Sequence, residues 1–425
     1  MSPKPSKRAT QLRLRVPVSQ RGWVPPLPGL RYWKLTIFIG GLLALSLTSC
    51  RLHDFPQFAP NYREYAYVTN GGSGTVSVYD VVNVRLDREI PVGQNPIAVT
   101  ASPTRHEVYV VNSGTAFGQG SVSVINAANN SVAATIPVHR QPVALALDPG
   151  GTIAYVANSA SNSVSVIDLK ARREVAVIGT GEDPSALRVA PDGKTLAVAN
   201  HRGNSISLID PSSGQVRAVF AGCPGASDIV ILPDSSKAFA ACSDGHQIMA
   251  IALAHSKLQP DRPDQLESLL DVGRNPVQLA LKPDGGEIFV SNSLSDSISE
   301  VITGTDDVLG AYLMGANPVR GLVSADNSLL YVCNRGSQKV AIYAIDDGKR
   351  AGSIQVGDGP SALALSAEGH LLFVVDAGSA DVAVVRTATQ VSPSAIASPS
   401  ARALFTMLPT GRNPNAIAIK AFRLP

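Results

Sequence analysis

Residues 142–184, PVALALDPGGTIAYVANSASNSVSVIDLKARREVAVIGTGEDP, decide how the whole chain is read. Four short runs with strand character follow one another. Pro142–Leu147 is the first, and Pro149, Gly150 and Gly151 turn it. Thr152–Asn158 is the second, Ser163–Asp168 the third and Arg173–Ile178 the fourth; Gly181–Pro184 then leads onward. Apolar and small polar residues alternate along these runs, with turn residues between them, and no 3.6-residue period appears. That is the pattern of paired strands.

The unit recurs from Tyr65 onward. Its clearest mark is a strand that ends in Asn. The copies are Tyr67–Asn70 (YVTN), Tyr109–Asn112 (YVVN), Tyr155–Asn158 (YVAN), Ala197–Asn200 (AVAN), Phe239–Cys242 (FAAC), Phe289–Asn292 (FVSN), Tyr331–Asn334 (YVCN) and Phe373–Asp376 (FVVD). Successive copies start 42, 46, 42, 42, 50, 42 and 42 residues apart. A Gly-x-x-Pro turn is the second mark, at Gly93–Pro96, Gly181–Pro184, Gly273–Pro276, Gly315–Pro318, Gly357–Pro360 and Gly411–Pro414. His139–Pro142 and Gly222–Gly225 read as degenerate copies of it.

Repeats of about 40 residues with four strands each are the signature of propeller blades. One blade cannot bury both faces of its sheet, whereas a ring of blades can. The first copy, Tyr65–Val92, lacks an innermost strand, and Pro414–Phe422 is an innermost strand without followers. Pairing the two ends closes the ring in one composite blade and removes free sheet edges. The expectation is therefore an all-β β-propeller. Counting second strands gives eight four-stranded blades, with seven as the alternative.

These marks resemble the YVTN β-propeller repeat family over residues 62–422. That resemblance implies a propeller at the cell envelope or surface layer. Related repeats occur in lactonase-like propellers and in propeller subunits of dehydrogenases, so it also implies a hydrolase or an envelope dehydrogenase subunit as alternatives.

The N-terminus adds an address. Residues 1–34 are basic and Pro-rich, and Leu35–Leu47 is a charge-free apolar run. It is short for a helix crossing a bilayer core of about 30 Å and fits the apolar part of an export signal. Leu47-Thr48-Ser49-Cys50 looks like a bacterial lipobox, which implies a signal peptide over 1–49, lipidation at Cys50 and a tether over 50–63 before a propeller domain at 64–425. No Asp follows Cys50, so the outer membrane is the expected location, with the lipid as membrane partner.

Charge excludes one class. The first 50 residues hold eight Lys/Arg and no Asp or Glu; taking those charges from the chain's formal +3 leaves −5 for the remainder. A mildly acidic body without a basic run lacks the main electrostatic support for nucleic-acid binding. The seven His share no register, and neither H-x-H nor H-E-x-x-H occurs. No G-x-S-x-G elbow or Walker loop is present either. No catalytic residue, metal or cofactor is expected.

Two local irregularities remain. In the copy that begins at Gly222 both marks break together, at Cys223 and at Cys242. The first two strands of a blade run antiparallel, so these positions lie side by side. A disulfide is expected there, taking over a hydrogen bond that the strand-ending Asn makes to the Gly-x-x-Pro turn elsewhere; two buried thiols are the alternative. Cys333 reads as a lone core thiol. The innermost strands supply the second irregularity. Two residues past the Pro position most copies carry Ala, but three neighbours carry Asp228, Gln278 and Arg320, and Arg188 comes from the blade before. One reading is a one-sided polar site at the channel mouth for an anionic or polar ligand; the other is an internal Arg188–Asp228 ion pair. Arg140, Glu182, Asp183, Arg274, Asn275 and Arg412 sit in turns of the same face. Loop insertions at 113–120, 254–266 and 387–400 are further places where specificity could reside. The expected function is a non-enzymatic, envelope-anchored scaffold whose partner is an envelope protein or a small polar or anionic ligand.

Overall fold

A computed structural model describes residues 58–254, 262–387 and 402–424. The export signal and Cys50 lie outside the described residues. So do parts of the insertions at 254–266 and 387–400.

Eight four-stranded antiparallel sheets follow one another along the chain. Blade 1 is composite: Tyr62–Asn70, Thr75–Asp80 and Arg85–Pro91 form its second to fourth strands, and Pro414–Arg423 is its innermost. Blade 2 spans Pro96–Arg140, blade 3 Pro142–Gly179, blade 4 Pro184–Ala221 and blade 5 Ala226–Asp271. Blade 6 spans Pro276–Leu313, blade 7 Pro318–Gln355 and blade 8 Pro360–Pro409. Each innermost strand packs against those of the preceding and following blades, and that of blade 1 lies between those of blades 8 and 2, so the ring is closed. The closing pair has Val68 opposite Ile417 and Thr69 opposite Ala416. Tyr62 and Arg63 pair with Arg423 and Phe422, so the first strand starts two residues earlier than the tether boundary read from sequence. Two 3-10 turns, Ser159–Ser161 and Ser243–Gly245, are the only helical elements among the described residues.

Burial follows the ring of blades. The core divides into eight apolar clusters, one at each junction between neighbouring blades. The second strand of each blade is buried on both faces and sends successive side chains to opposite junctions, as period-two geometry requires. Tyr67, Tyr109, Phe239, Phe289, Tyr331 and Phe373 occupy one such position in six blades, all at most 2% exposed.

The repeat marks also acquire a cause. The residue before the Pro position is left-handed in every blade: Asn95, Gln141, Asp183, Gly225, Asn275, Asn317, Gly359 and Asn413. Asn, Asp and Gly tolerate that conformation best, which accounts for the recurring Asn-Pro. The Gly of the turn lies directly against the strand-ending Asn. A Cβ on Gly181 would stand 2.7 Å from the Asn200 side chain, and the same holds at Gly93 against Asn112.

The Asn itself corrects the expectation that it bonds the turn. In five blades its amide instead donates to hydroxyls of the third strand. Asn158 reaches Ser165 at 2.9 Å, Asn200 reaches Ser207 at 2.9 Å and Asn292 reaches Ser299 at 2.9 Å. Asn70 and Asn112 do likewise, to Ser77 and Ser123. In blade 7 alone the amide turns to the Met314 carbonyl beside Gly315, because the third strand there offers Lys339 and Ala341 instead of hydroxyls.

Blade 5 is where both marks change. Cys223 and Cys242 form a disulfide with Cα atoms 4.8 Å apart. The register differs by one residue from the sequence alignment: Ala226 pairs with Cys242 as Pro184 pairs with Asn200. Cys223, not Gly222, therefore stands in the place of the turn Gly. The bridge fills the site where Gly and Asn touch in five other blades. Cys333 is a buried free thiol, and burial pushes its ionisation far up, leaving it inert.

Candidate functional site: the channel mouth

The innermost strands surround a cavity of about 350 Å³ on the ring axis, lined by residues of all eight blades. Each innermost strand carries a bulge just past its first residue. Pro142 pairs with Asn158 and Ala144 with Ala157, which leaves Val143 unpaired. A bulge re-aims the extra side chain. Here it turns Ile97, Val143, Ser185, Ser227, Val277, Val319 and Asn415 toward the channel. Ser185 donates to the Ala226 carbonyl at 2.7 Å and Ser227 to the Pro276 carbonyl at 3.1 Å, so the bulges also tie blade to blade.

Arg188, Asp228, Gln278 and Arg320 all line this cavity, but they are not equivalent. Asp228 is buried. It takes Arg188 Nη2 on Oδ1 at 3.3 Å and the Leu279 amide on Oδ2 at 3.1 Å. Gln278 donates from Nε2 to the Leu279 carbonyl at 2.7 Å and accepts the Gly321 amide on Oε1 at 2.7 Å. These bonds run from blade 4 through blades 5 and 6 to blade 7. Their physical role is to satisfy strand-edge groups that Ala leaves to solvent in other blades. Gly321 belongs to this arrangement: a Cβ there would stand 3.1 Å from Ala280 and crowd the approach of Gln278.

The two arginines differ from their neighbours. Arg188 keeps 45% of its side chain exposed while paired to Asp228, and its Nη1 donates to the Leu187 carbonyl. The Arg320 side chain is exposed and makes no hydrogen bond or ion pair among the described residues. The cavity therefore holds one committed carboxylate, one half-committed guanidinium and one uncommitted guanidinium. A guanidinium with open donors suits a carboxylate or phosphate. Of the turn residues on this face, Arg274 is tied to the Leu294 carbonyl, Arg412 to the Gly72 carbonyl and Asp183 to Arg202.

A second cavity, of about 470 Å³, lies on the opposite face between blades 5 and 6. Lys237, Arg262 and Glu267 in its lining belong to an ion-pair network. Lys237 Nζ lies 2.8 Å from Glu267 and 2.7 Å from Asp306, and Arg262 lies 2.6 Å from Glu267. Arg217 holds Asp264 through two bonds of 2.6 and 2.9 Å. Asp264 and Arg262 come from the return of the 254–266 insertion, so the network fastens that loop to blades 4, 5 and 6. Composition could not reveal it, because its members lie up to 89 residues apart in sequence, Arg217 to Asp306. No group of three or more His, Cys, Asp or Glu side chains among the described residues is arranged to hold a metal ion.

Comparison with known proteins gives the β-propeller fold, without fixing the number of blades. Residues 93–262 match the model of the YNCE-like beta-propeller family, and residues 321–393 match that of the seven-bladed lactonase beta-propeller family. No curated protein matches the chain. Among solved structures, a putative 6-phosphogluconolactonase from Bacteroides uniformis superposes with a TM-score of 0.58 at 14% identity, covering 84% of this chain and 99% of its own. The periplasmic gluconolactonase of Pseudomonas aeruginosa gives 0.55 at 16%, covering 86% and 99%. Hydrazine synthase from Kuenenia stuttgartiensis gives 0.53 at 22%, covering 69% and 96%. Identities this low speak for the propeller fold alone.

Proposed function

We propose that the chain is an envelope lipoprotein of YVTN-type repeats, held at the outer membrane by lipid on Cys50, whose propeller binds a small anionic ligand at the channel mouth without transforming it. Arg320 carries the reading: it is an exposed guanidinium in a polar cavity where Asp228, Gln278 and Asn415 are already engaged and Arg188 is engaged in part. Arg188 is the second contact, released in part from Asp228 when the anion arrives. A screen of small carboxylates and sugar phosphates by thermal shift and calorimetry tests it. Binding by the intact protein that Arg320→Ala abolishes supports the site; an undiminished shift in Arg320→Ala removes it. Radiolabelled palmitate incorporation that Cys50→Ser eliminates tests the anchor.

A lactonase-like hydrolase is the second reading, supported by the lactonase family match over 321–393 and by the neighbours described as lactonases. Turnover of 6-phosphogluconolactone or gluconolactone above the spontaneous rate, lost in Arg320→Ala, would favour it over simple binding.

A further inference from the structure

Blade 8 departs from the repeat in a way that chemistry constrains. Asp376 stands where six of the other seven blades carry Asn, and Asp381 stands where blades 3, 4 and 6 carry the first acceptor Ser of the third strand. The two residues are directly paired across the strands. Asp376 is fully buried, and its Oδ2 accepts the Gly357 amide at 2.9 Å. Its Oδ1 and the Oδ1 of Asp381 are both buried, and neither meets a donor. Both crowd Gly357: a Cβ there would stand 2.6 Å from Asp381 Oδ1 and 2.7 Å from the Asp376 Cβ. Asn supplies two N–H donors at this position, and an ionised Asp supplies none. If both ionised, two facing carboxylates would leave like charges side by side, one of them fully buried.

We infer that Asp376 and Asp381 share one proton at neutral pH, and that this proton makes blade 8 an alkali-sensitive joint of the ring. The proton supplies the hydrogen bond that the Asn amide supplies elsewhere. Burial first, then the Asp381 charge, push Asp376 up to about 8, against the pull of the Gly357 amide; burial raises Asp381 as well. The other titratable or charged groups around the pair are Asp358 in the preceding turn, Cys333 of blade 7 with Arg320 paired across from it, and Tyr79 of blade 1. Only Arg320 among them is cationic, and it points into the channel.

The sign follows from linkage. The unfolded chain releases this proton near an ordinary Asp value of about 3.9, while the folded chain keeps it to about 8. Stability from the shared proton is therefore fully present at low pH and is lost as pH rises through that window. Nothing here depends on a ligand, so the inference goes beyond the binding reading and stands apart from it.

Urea unfolding of the full-length protein from pH 5 to pH 9 tests it, beside Asp376→Asn/Asp381→Ser, which removes both carboxylates and restores the Asn and the first of its two acceptor Ser. Across the window the folding constant of the wild type falls, relative to the variant, by up to about tenfold per pH unit. Parallel pH profiles for the two proteins would overturn the inference. Infrared difference spectra of the wild type alone provide a second measurement that does not need the variant to fold. A carboxylic-acid C=O band persists at neutral pH and vanishes on alkalinisation; its absence at pH 6 would overturn the inference equally.

Discussion

Breaking the Cys223–Cys242 bridge is the perturbation with the clearest magnitude. The bonded residues are 19 apart, and closing a loop of that size removes unfolded-state entropy worth about 3 kcal/mol at 25 °C. A propeller of about 350 ordered residues unfolds with an entropy of roughly 0.7 kcal/mol/K, so Cys223→Ser is expected to lower the melting temperature by about 4 °C. Calorimetry with and without reductant is the assay, and reduced wild type should melt with the variant. The structure adds a sharper test. Cys223→Gly with Cys242→Asn restores both marks of the repeat, yet stability should not return. The third strand of blade 5 offers Gln247 and Met249 where Asn158 and Asn200 find Ser, so the new amide would be buried without its acceptor. An unmade bond of that kind costs about 1–3 kcal/mol. Full stability in the two-residue swap, or a wild type indifferent to reductant, would refute the reasoning.

Three further outcomes follow from the packing. Gly181→Ala should cost about 1–3 kcal/mol in urea unfolding, because its Cβ would stand 2.7 Å from the Asn200 side chain; Gly179→Ala, with nothing within 4 Å, is the neutral control. Arg217→Ala should cost about 3 kcal/mol by leaving Asp264 without the cation that holds it, at a site where the two side chains are 18% and 9% exposed, and should speed proteolysis of the 254–266 insertion. At the channel, Asp228→Ala should destabilise by about 2 kcal/mol and Arg188→Ala by under about 1 kcal/mol. Asp228 also holds the Leu279 amide, whereas Arg188 is 45% exposed and screened. Equal losses in chemical denaturation would mean that Asp228 contributes through its ion pair with Arg188 of blade 4, not through the Leu279 amide of blade 6.

The ring was legible because its signals are local. Alternation within each run, the Gly-x-x-Pro turns and the complementary ends at Tyr65 and Phe422 all lie within one blade or at one seam. The sulfur bridge was legible as a coincidence of two broken marks, although the turn register needed the Ala226–Cys242 pair to correct it. The partners of the strand-ending Asn were not recognised, yet a signal existed. Ser163 and Ser165 follow Asn158 at the same offsets as Ser205 and Ser207 follow Asn200, and Ser297 and Ser299 follow Asn292. Asp381 breaks that spacing in the same blade in which Asp376 breaks the Asn. The channel was legible only by residue type. Whether Gln278 is free or spent depends on the Gly321 amide, 43 residues away on the next blade, and no spacing encodes that distance.

The strand-ending Asn carries one further consequence. Its carbonyl oxygen is buried without a donor in Asn112, Asn158, Asn200, Asn292 and Asn334, but in Asn70 it accepts Thr410 Oγ1 at 2.7 Å. Thr410 immediately precedes the turn Gly411, and Val272 holds the same place before Gly273 in the turn that meets Asn292. Val and Thr have nearly the same shape, and burying a Thr hydroxyl in place of a methyl ordinarily costs about 1–3 kcal/mol. At Val272, which is only partly buried, the hydroxyl would meet an open acceptor. Thr180 shows that the benefit depends on rotamer, since its hydroxyl donates to the Gly181 carbonyl and leaves the Asn200 oxygen open. Val272→Thr should therefore leave the unfolding free energy unchanged or raise it by up to about 1 kcal/mol. A loss of more than about 1 kcal/mol would show that the apolar contact with the blade 5–6 cluster outweighs the acceptor. Val164→Thr, fully buried in the junction between blades 3 and 4, is the contrast and should lose stability in full.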